Sequence, residues 1–209
     1  RRCRMQRSAL RCGSRLLPLV AFPFAESLGA TATNEEIQAF LDRHGRAVVK
    51  PVFYGGVGRK GKAGLVRVVD NLHDALAAKK ELYFATHRHG ARTVTANGVS
   101  FEAFVPSEIE VYFSIDASTA SRSPVFTISP LGGVEIEGAA RKQTVEIDPF
   151  LGISSFEITN ALIATGCPEE FISPLVQHLP KLWDLYAAFG LTTVEINPIR
   201  VCRDGARLV

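Results

Sequence analysis

The chain has 209 residues, 46% hydrophobic and 22% charged, a balance that suits a folded protein with one large or two small cores. Its 24 Lys and Arg against 21 Asp and Glu leave a net charge of +3. That is too mild for a nucleic-acid binder, and no run approaches the ~18 apolar residues of a membrane-spanning helix.

The four cysteines, Cys3, Cys12, Cys167 and Cys202, include no C-x-x-C pair. They make neither a disulfide framework nor a zinc site, and they suit a reducing compartment. A cytoplasmic protein is therefore expected. Residues 1–25 carry six arginines and no acid before Glu26, which leaves open an organelle transit peptide, and with it the mitochondrial matrix, beside a basic first helix.

Thr33-Asn34-Glu35-Glu36 reads as a capping box, with Thr33 as N-cap and Glu36 reaching back. Ile37, Phe40 and Leu41 then form one apolar face, and Gly45 ends the helix. Ala47-Val48-Val49 reads as a short buried strand that delivers Lys50 at its end.

The stretch that follows, through Gly64, holds five glycines and three cationic side chains between two β-branched ends. Glycine lets a backbone approach a ligand closely, and Arg or Lys supplies charge for an anion. Gly56-Val57-Gly58-Arg59-Lys60-Gly61 has the G-x-G-x-x-G letters, and Gly56 to Ala63 nearly those of a Walker loop. Both motifs need a helix directly after the loop. Here Leu65-Val66-Arg67-Val68-Val69 alternates like a strand. The residues thus describe a glycine-rich β-hairpin, either a flap over phosphates as in kinases or an ordinary hairpin with a solvated basic tip.

Asn71 is a fitting N-cap for a helix carrying Leu72, Ala75, Leu76 and Leu82, and Arg88 to Asn97 reads as a polar loop. Val99 to Pro106 reads as a strand that stops at Pro106, and Ile109, Val111, Phe113 and Ile115 alternate as a strand with one buried face. Val125 to Ile128 is its expected antiparallel neighbour, and Gly132 to Glu137 a short acidic strand. Phe156 to Gly190 is helical in pattern, ending a first helix at Gly166 and broken again at Pro174 and Pro180. Thr192 to Val201 is a strand interrupted by Asn197-Pro198, followed by an Asp204-Gly205 turn.

A nucleotide needs cations for its phosphates, oxygen ligands for a metal, and contacts for base and ribose. Lys50, Glu102, Glu110 and Asn197 are candidates, each of which also has an ordinary reading as a surface charge, a strand residue or a turn residue.

Their order resembles a known family. Val48-Val49-Lys50, Lys60-Gly61-Lys62-Ala63-Gly64-Leu65-Val66, Gly132-Gly133-Val134-Glu135-Ile136-Glu137 and Glu195-Ile196-Asn197-Pro198 resemble the nucleotide-binding β subunit of succinyl-CoA synthetase. They are similar also to the corresponding part of ATP-citrate lyase and citryl-CoA synthetase. The resemblance implies an α+β ATP-grasp fold with two lobes clasping ATP, truncated before the CoA-ligase domain. The smaller lobe is expected over residues 27–112 and the larger over 113–209, with 1–26 a basic segment that is a helix of the larger lobe or transit-like.

It implies ATP and Mg2+ as cofactors. Lys50 would bind phosphate, Lys60 and Gly61 would cover the phosphates, and Glu102 and Val105 would form the adenine hinge. Glu110 would be the ribose or metal-side carboxylate, and Asn197 an Mg2+ ligand. No catalytic residue is expected on the chain itself, and the expected partner is an α-type CoA-binding subunit or a fused CoA-ligase domain, in a hetero-oligomer without nucleic acid or membrane.

The glycine loop is about two residues longer than the family's usual form, so the contact falls on Lys60 or Arg59. The family's second metal ligand, an aspartate after the Asp204-Gly205 turn, is expected beyond Val209. The implied function is the ATP-binding part of an ADP-forming acid–CoA ligase. The alternative is a non-catalytic nucleotide-binding or subunit-interaction module.

Overall fold

A computed structural model describes residues 17–53, 64–89, 92–132 and 141–202. They divide into two compact units, 25–104 and 17–24 with 105–202.

In the first unit a short β1 (Ser27–Leu28) precedes α1 (Asn34–His44). The capping box at its start is present as read: Thr33 accepts from the Glu36 amide, Glu36 from that of Thr33. Gly45, at φ 71°, closes the helix where an L side chain would be strained. Strands β2 (Ala47–Pro51) and β3 (Arg67–Val69) pair antiparallel, so the two strands of the glycine-rich hairpin are formed. Its tip, residues 54–63, lies outside the described residues. Helix α2 (Leu72–Leu82) starts at Asn71, whose side chain accepts from the Asp74 amide.

The segment Arg88–Asn97 is not a loop. Strand β4 (Thr86–His89) pairs with β5 (Arg92–Thr95), Thr86 opposite Thr95 and His87 opposite Val94. Backbone hydrogen bonds hold this ribbon without an apolar stripe. Val94 and, opposite it, the His87 ring pack toward buried Phe53, and one apolar side chain is too few for the periodicity that reveals a strand.

Strand β6 (Val99–Ala103) completes a sheet of order β1-β6-β2-β3. Ala47, Val49, Val69, Val99 and Phe101 pack with Ile37, Phe40 and Leu41 of α1 and Ala75, Ala78 and Leu82 of α2. Burying each large side chain contributes roughly 1.5–3 kcal/mol.

The second unit is built on β7 (Ile109–Ala117), β8 (Pro124–Ser129) and β9 (Gln143–Glu146). An expected lobe boundary between residues 112 and 113 cuts β7, whereas the chain divides at Phe104/Val105. Strand β7 is continuous through that point because β10 pairs with it from Ile109 to Asp116 and β8 from Tyr112 to Ala117.

Three helices follow: α3 (Ser155–Ala164), α4 (Ile172–His178) and α5 (Lys181–Phe189). Helix α3 has its own capping box, Ser154 with Glu157. Pro180 separates α4 from α5 as expected. Pro174 does not break α4, because it sits in the first turn, where its missing N–H has no helical partner.

Strand β10 (Thr193–Val201) pairs with β7, with a register shift between Ile196 and Ile199 around the cis Asn197–Pro198 bond. The sheet runs β10-β7-β8-β9. Its buried face, Val111, Phe113, Ile115, Phe126, Ile128, Val194 and Ile199, packs against Ile158, Leu162, Leu175, Leu179 and Leu182 of the helices. Leu17 and Val20, in a 3-10 turn, join this core. The rest of the basic N-terminal segment, most of the Gly132–Glu137 motif and the Asp204-Gly205 turn lie outside the described residues.

Between β9 and α3 the chain makes a tight turn. Asp148 Oδ1 accepts from the amides of Phe150 (2.8 Å) and Leu151 (3.2 Å). Gly152, at φ 74°, lies against Trp183 so closely that a Cβ would fall 2.4 Å from the ring. The turn leaves Phe150 95% and Leu151 86% exposed.

Candidate functional site

Each four-stranded sheet packs one face against the helices of its unit, and Lys50, Glu102 and Glu110 stand on the opposite faces. In β2, Ala47 and Val49 pack under the helices, while Val48, itself buried at 8%, and half-buried Lys50 turn to the opposite side. The register sets Lys50 opposite Ser100 and Val48 opposite Glu102, so Glu102 lies diagonal to Lys50, within reach of a long side chain. Lys50 Nζ donates to Glu102 Oε2, and Ser100 Oγ donates to Glu102 Oε1 at 3.2 Å. Both charged side chains are about one-third exposed (33% and 32%), so water still reaches the pair. Such an ion pair contributes no more than about 1 kcal/mol, and an anionic ligand can draw the ammonium away from it. Ser100 shares the face of Glu102 because it stands two residues before it on β6; only the register brings both to Lys50.

The second unit brings together Val105 and Glu110. Arg200 on β10 lies directly across from Glu110. Its Nη2 is 2.9 Å from Glu110 Oε1, and its Nη1 donates to the Val105 carbonyl at 2.8 Å. Further ties bind this segment to the end of β10: Glu108 N donates to Val201 O (2.9 Å), and Cys202 Sγ to Pro106 O (3.1 Å). Of the two glutamates read as flanking one turn, Glu102 belongs to the first unit and Glu110 to the second.

Further along the same polar face stand Tyr112, Ser114 and Asp116 of β7, with Glu195 of β10 across from Ser114. Protein packed around the Glu195 carboxyl raises its pKa, and the Asp116 charge adds to this. Burial likewise raises the Tyr112 phenol, with Glu195 and Asp116 contributing.

Asn197 is exposed at the register shift two residues beyond Glu195. Its amide oxygen is a hard donor of the kind magnesium takes, and Glu195 and Asp116 supply further oxygens on this face. The donor chemistry fits the ion, although among the described residues no three His, Cys, Asp or Glu cluster tightly enough to enclose one. Lys60, Gly61 and Arg59 lie outside the described residues. A surface groove between α3 and α4, lined by Ile163, Cys167, Ile172 and Val176, contains none of the candidates.

A family model described as an ATP-grasp domain matches residues 23–201. The β subunit of an ADP-forming succinate–CoA ligase from Halobacterium salinarum is 28% identical over 186 residues, covering 86% of this chain and 47% of the relative. The corresponding subunit from Desulfurococcus amylolyticus is 31% identical over 154 residues, covering 71% and 40%. The chain thus spans about half the length of these relatives or less.

Among solved structures, an ATP citrate lyase from Methanothrix soehngenii, in complex with citrate and coenzyme A, superposes with a TM-score of 0.63 at 23% identity, covering 85% of this chain and 40% of that one. A dinucleotide-forming acetyl-coenzyme A synthetase from Ca. Korarchaeum cryptofilum, in complex with coenzyme A and Ca-AMPCP, superposes with a TM-score of 0.70 at 16% identity, covering 90% and 84%. At these identities the structural likeness concerns the fold.

Proposed function

This chain belongs to the ATP-grasp domain family, and we propose that it is the nucleotide-binding part of an ADP-forming acid–CoA ligase. Its sequence relatives are the β subunits of succinate–CoA ligases. The observation that carries the reading is the placement of Lys50 on the side of β2 away from α1 and α2, partly exposed and held by the carboxylate of Glu102. A cation kept in place by a weak pair is suited to exchange that partner for a phosphate.

In this reading Lys50 neutralises the nucleotide's phosphates, with Lys60 and Gly61 of the glycine-rich hairpin covering them. Glu102 and the backbone at Val105 contact the base, and Glu110 accepts from the ribose. Asn197 would hold a magnesium ion, which when bound supplies further charge neutralisation for the transferring phosphoryl group. The chain's own contribution is positioning and electrostatics. The acceptor of the phosphoryl group, the acid and the coenzyme A would belong to an α-type subunit or a fused domain.

The test is nucleotide binding by the protein and its Lys50→Met variant, read by calorimetry and by thermal stabilisation in Mg-ATP. Loss of a charge-assisted phosphate contact is expected to weaken ATP by about 10- to 100-fold while lowering the melting temperature little. Equal ATP affinity in the two proteins would refute the assignment. Transfer of label from γ-labelled ATP to a partner histidine then separates the ligase from a module that only binds nucleotide.

A further inference from the structure

We propose that Arg200 is a positioning residue that presets Glu110 for one hydroxyl of a ribose. This rests on the reading of Glu110 as the sugar contact. The guanidinium is a planar fork, and here its two terminal nitrogens serve different partners, the Val105 carbonyl at 2.8 Å and Glu110 Oε1 at 2.9 Å. One side chain therefore fixes both the backbone entering β7 and the carboxylate five residues later.

The backbone of Glu110 is held independently. Its carbonyl accepts from the Gly132 amide at 2.5 Å. A Cβ on Gly132 would lie 2.8 Å from the Glu110 carbonyl carbon and oxygen, an approach only glycine allows.

With its backbone held by Gly132 and one oxygen held by Arg200, Glu110 has its rotamer set. Among the described residues nothing engages the second carboxylate oxygen. Glu110 is 35% exposed on its side chain and Arg200 28%, so the site is open to a ligand yet sheltered enough for the pair to keep its geometry. A carboxylate with one oxygen pinned and one available is a fixed acceptor for a sugar hydroxyl. Preorganisation of this kind saves the ordering cost at binding. It also neutralises a negative charge that would otherwise repel a polyphosphate ligand.

The consequence is selectivity for the sugar. The protein should bind ATP about tenfold more tightly than the deoxy analogue that lacks the contacted hydroxyl, as expected for one charge-assisted hydrogen bond. The comparison uses ATP, 2′-deoxy-ATP and 3′-deoxy-ATP with the intact protein, Arg200→Met, Arg200→Lys and Glu110→Gln. Arg200→Met should bring the ratio close to one, and adding it to Glu110→Gln should change the ratio no further. Arg200→Lys, which restores the charge but not the fork, should recover part of the ratio and keeps the test available if the methionine variant folds poorly.

An Arg200→Met protein that binds all three nucleotides more weakly by one common factor would make Arg200 merely structural and overturn the inference. So would a parent protein that binds ATP through Lys50 but ignores the sugar hydroxyls; in both cases the nucleotide-binding function stands. A parent that binds none of the three overturns the function itself.

Discussion

Cys167 follows the end of α3 with only 8% of its surface exposed, and its thiol hydrogen points to the Pro168 carbonyl at 3.7 Å. Burial, reinforced by the nearby Glu170 carboxylate, pushes the thiol from an ordinary 9.0 up to about 11. The folded protein therefore keeps this proton at a pH where the unfolded chain gives it up. Its contribution to stability is complete below about pH 9 and is lost as the pH rises from there through about 11. Urea unfolding between pH 8 and 11 should show a steeper alkaline loss of stability in the parent than in Cys167→Ala. Parallel curves would mean that the thiol is not held protonated. The same property should make Cys167 slow to alkylate at pH 8 until the protein is unfolded.

Two helices begin with the same reciprocal device, Thr33 with Glu36 and Ser154 with Glu157. Replacing Thr33 or Ser154 by alanine should each cost about 1 kcal/mol, measured as a lower urea midpoint at unchanged slope. A change well below that would show the cap amides to be equally well served by water.

The Thr33 box is legible in the letters because cap, acid and apolar face lie within one turn of each other. The Lys50–Glu102 pair spans 52 positions and the Arg200–Val105 bond 95, and no local spacing encodes such distances. They appear only once β2 lies beside β6, and β10 beside β7. Lys50, Glu102, Val105, Glu110 and Asn197 are candidates through a family pattern alone; Arg200 and Gly132, which hold Glu110, have no such pattern and appear only with the register.

Strands β4, β5 and β9 escaped for another reason. Each is largely polar and lies at an edge or in a two-stranded ribbon, so backbone pairing rather than apolar alternation defines it. At β9 the cross-strand contact is a hydroxyl pair, Thr127 with Thr144 at 3.0 Å. Pro174 illustrates the converse error, since a proline breaks a helix only beyond the first turn.

The described residues form two separate principal cores, one around Phe40 and Phe101, the other around Phe113 and Phe126. Each has its own sheet and helices, which is the condition for a unit to unfold by itself. Phe40→Ala and Phe113→Ala, both at fully buried positions, should each remove about 3–5 kcal/mol from a different step. Calorimetry should show two transitions, each variant lowering one. A single transition lowered equally by both would mean that the units melt as one.

Outside both cores stands the turn at Phe150 and Leu151. Its shape comes from Asp148, Gly152 and Trp183, and the two apolar side chains themselves lie almost wholly in water. Folding is therefore nearly indifferent to what occupies positions 150 and 151, whereas positions 148 and 152 are constrained by it. In a set of diverging sequences, drift to polar residues at 150 and 151 is the neutral expectation. Retention of large apolar residues there, beside an invariant aspartate and glycine, would mark a selective pressure that does not act through stability.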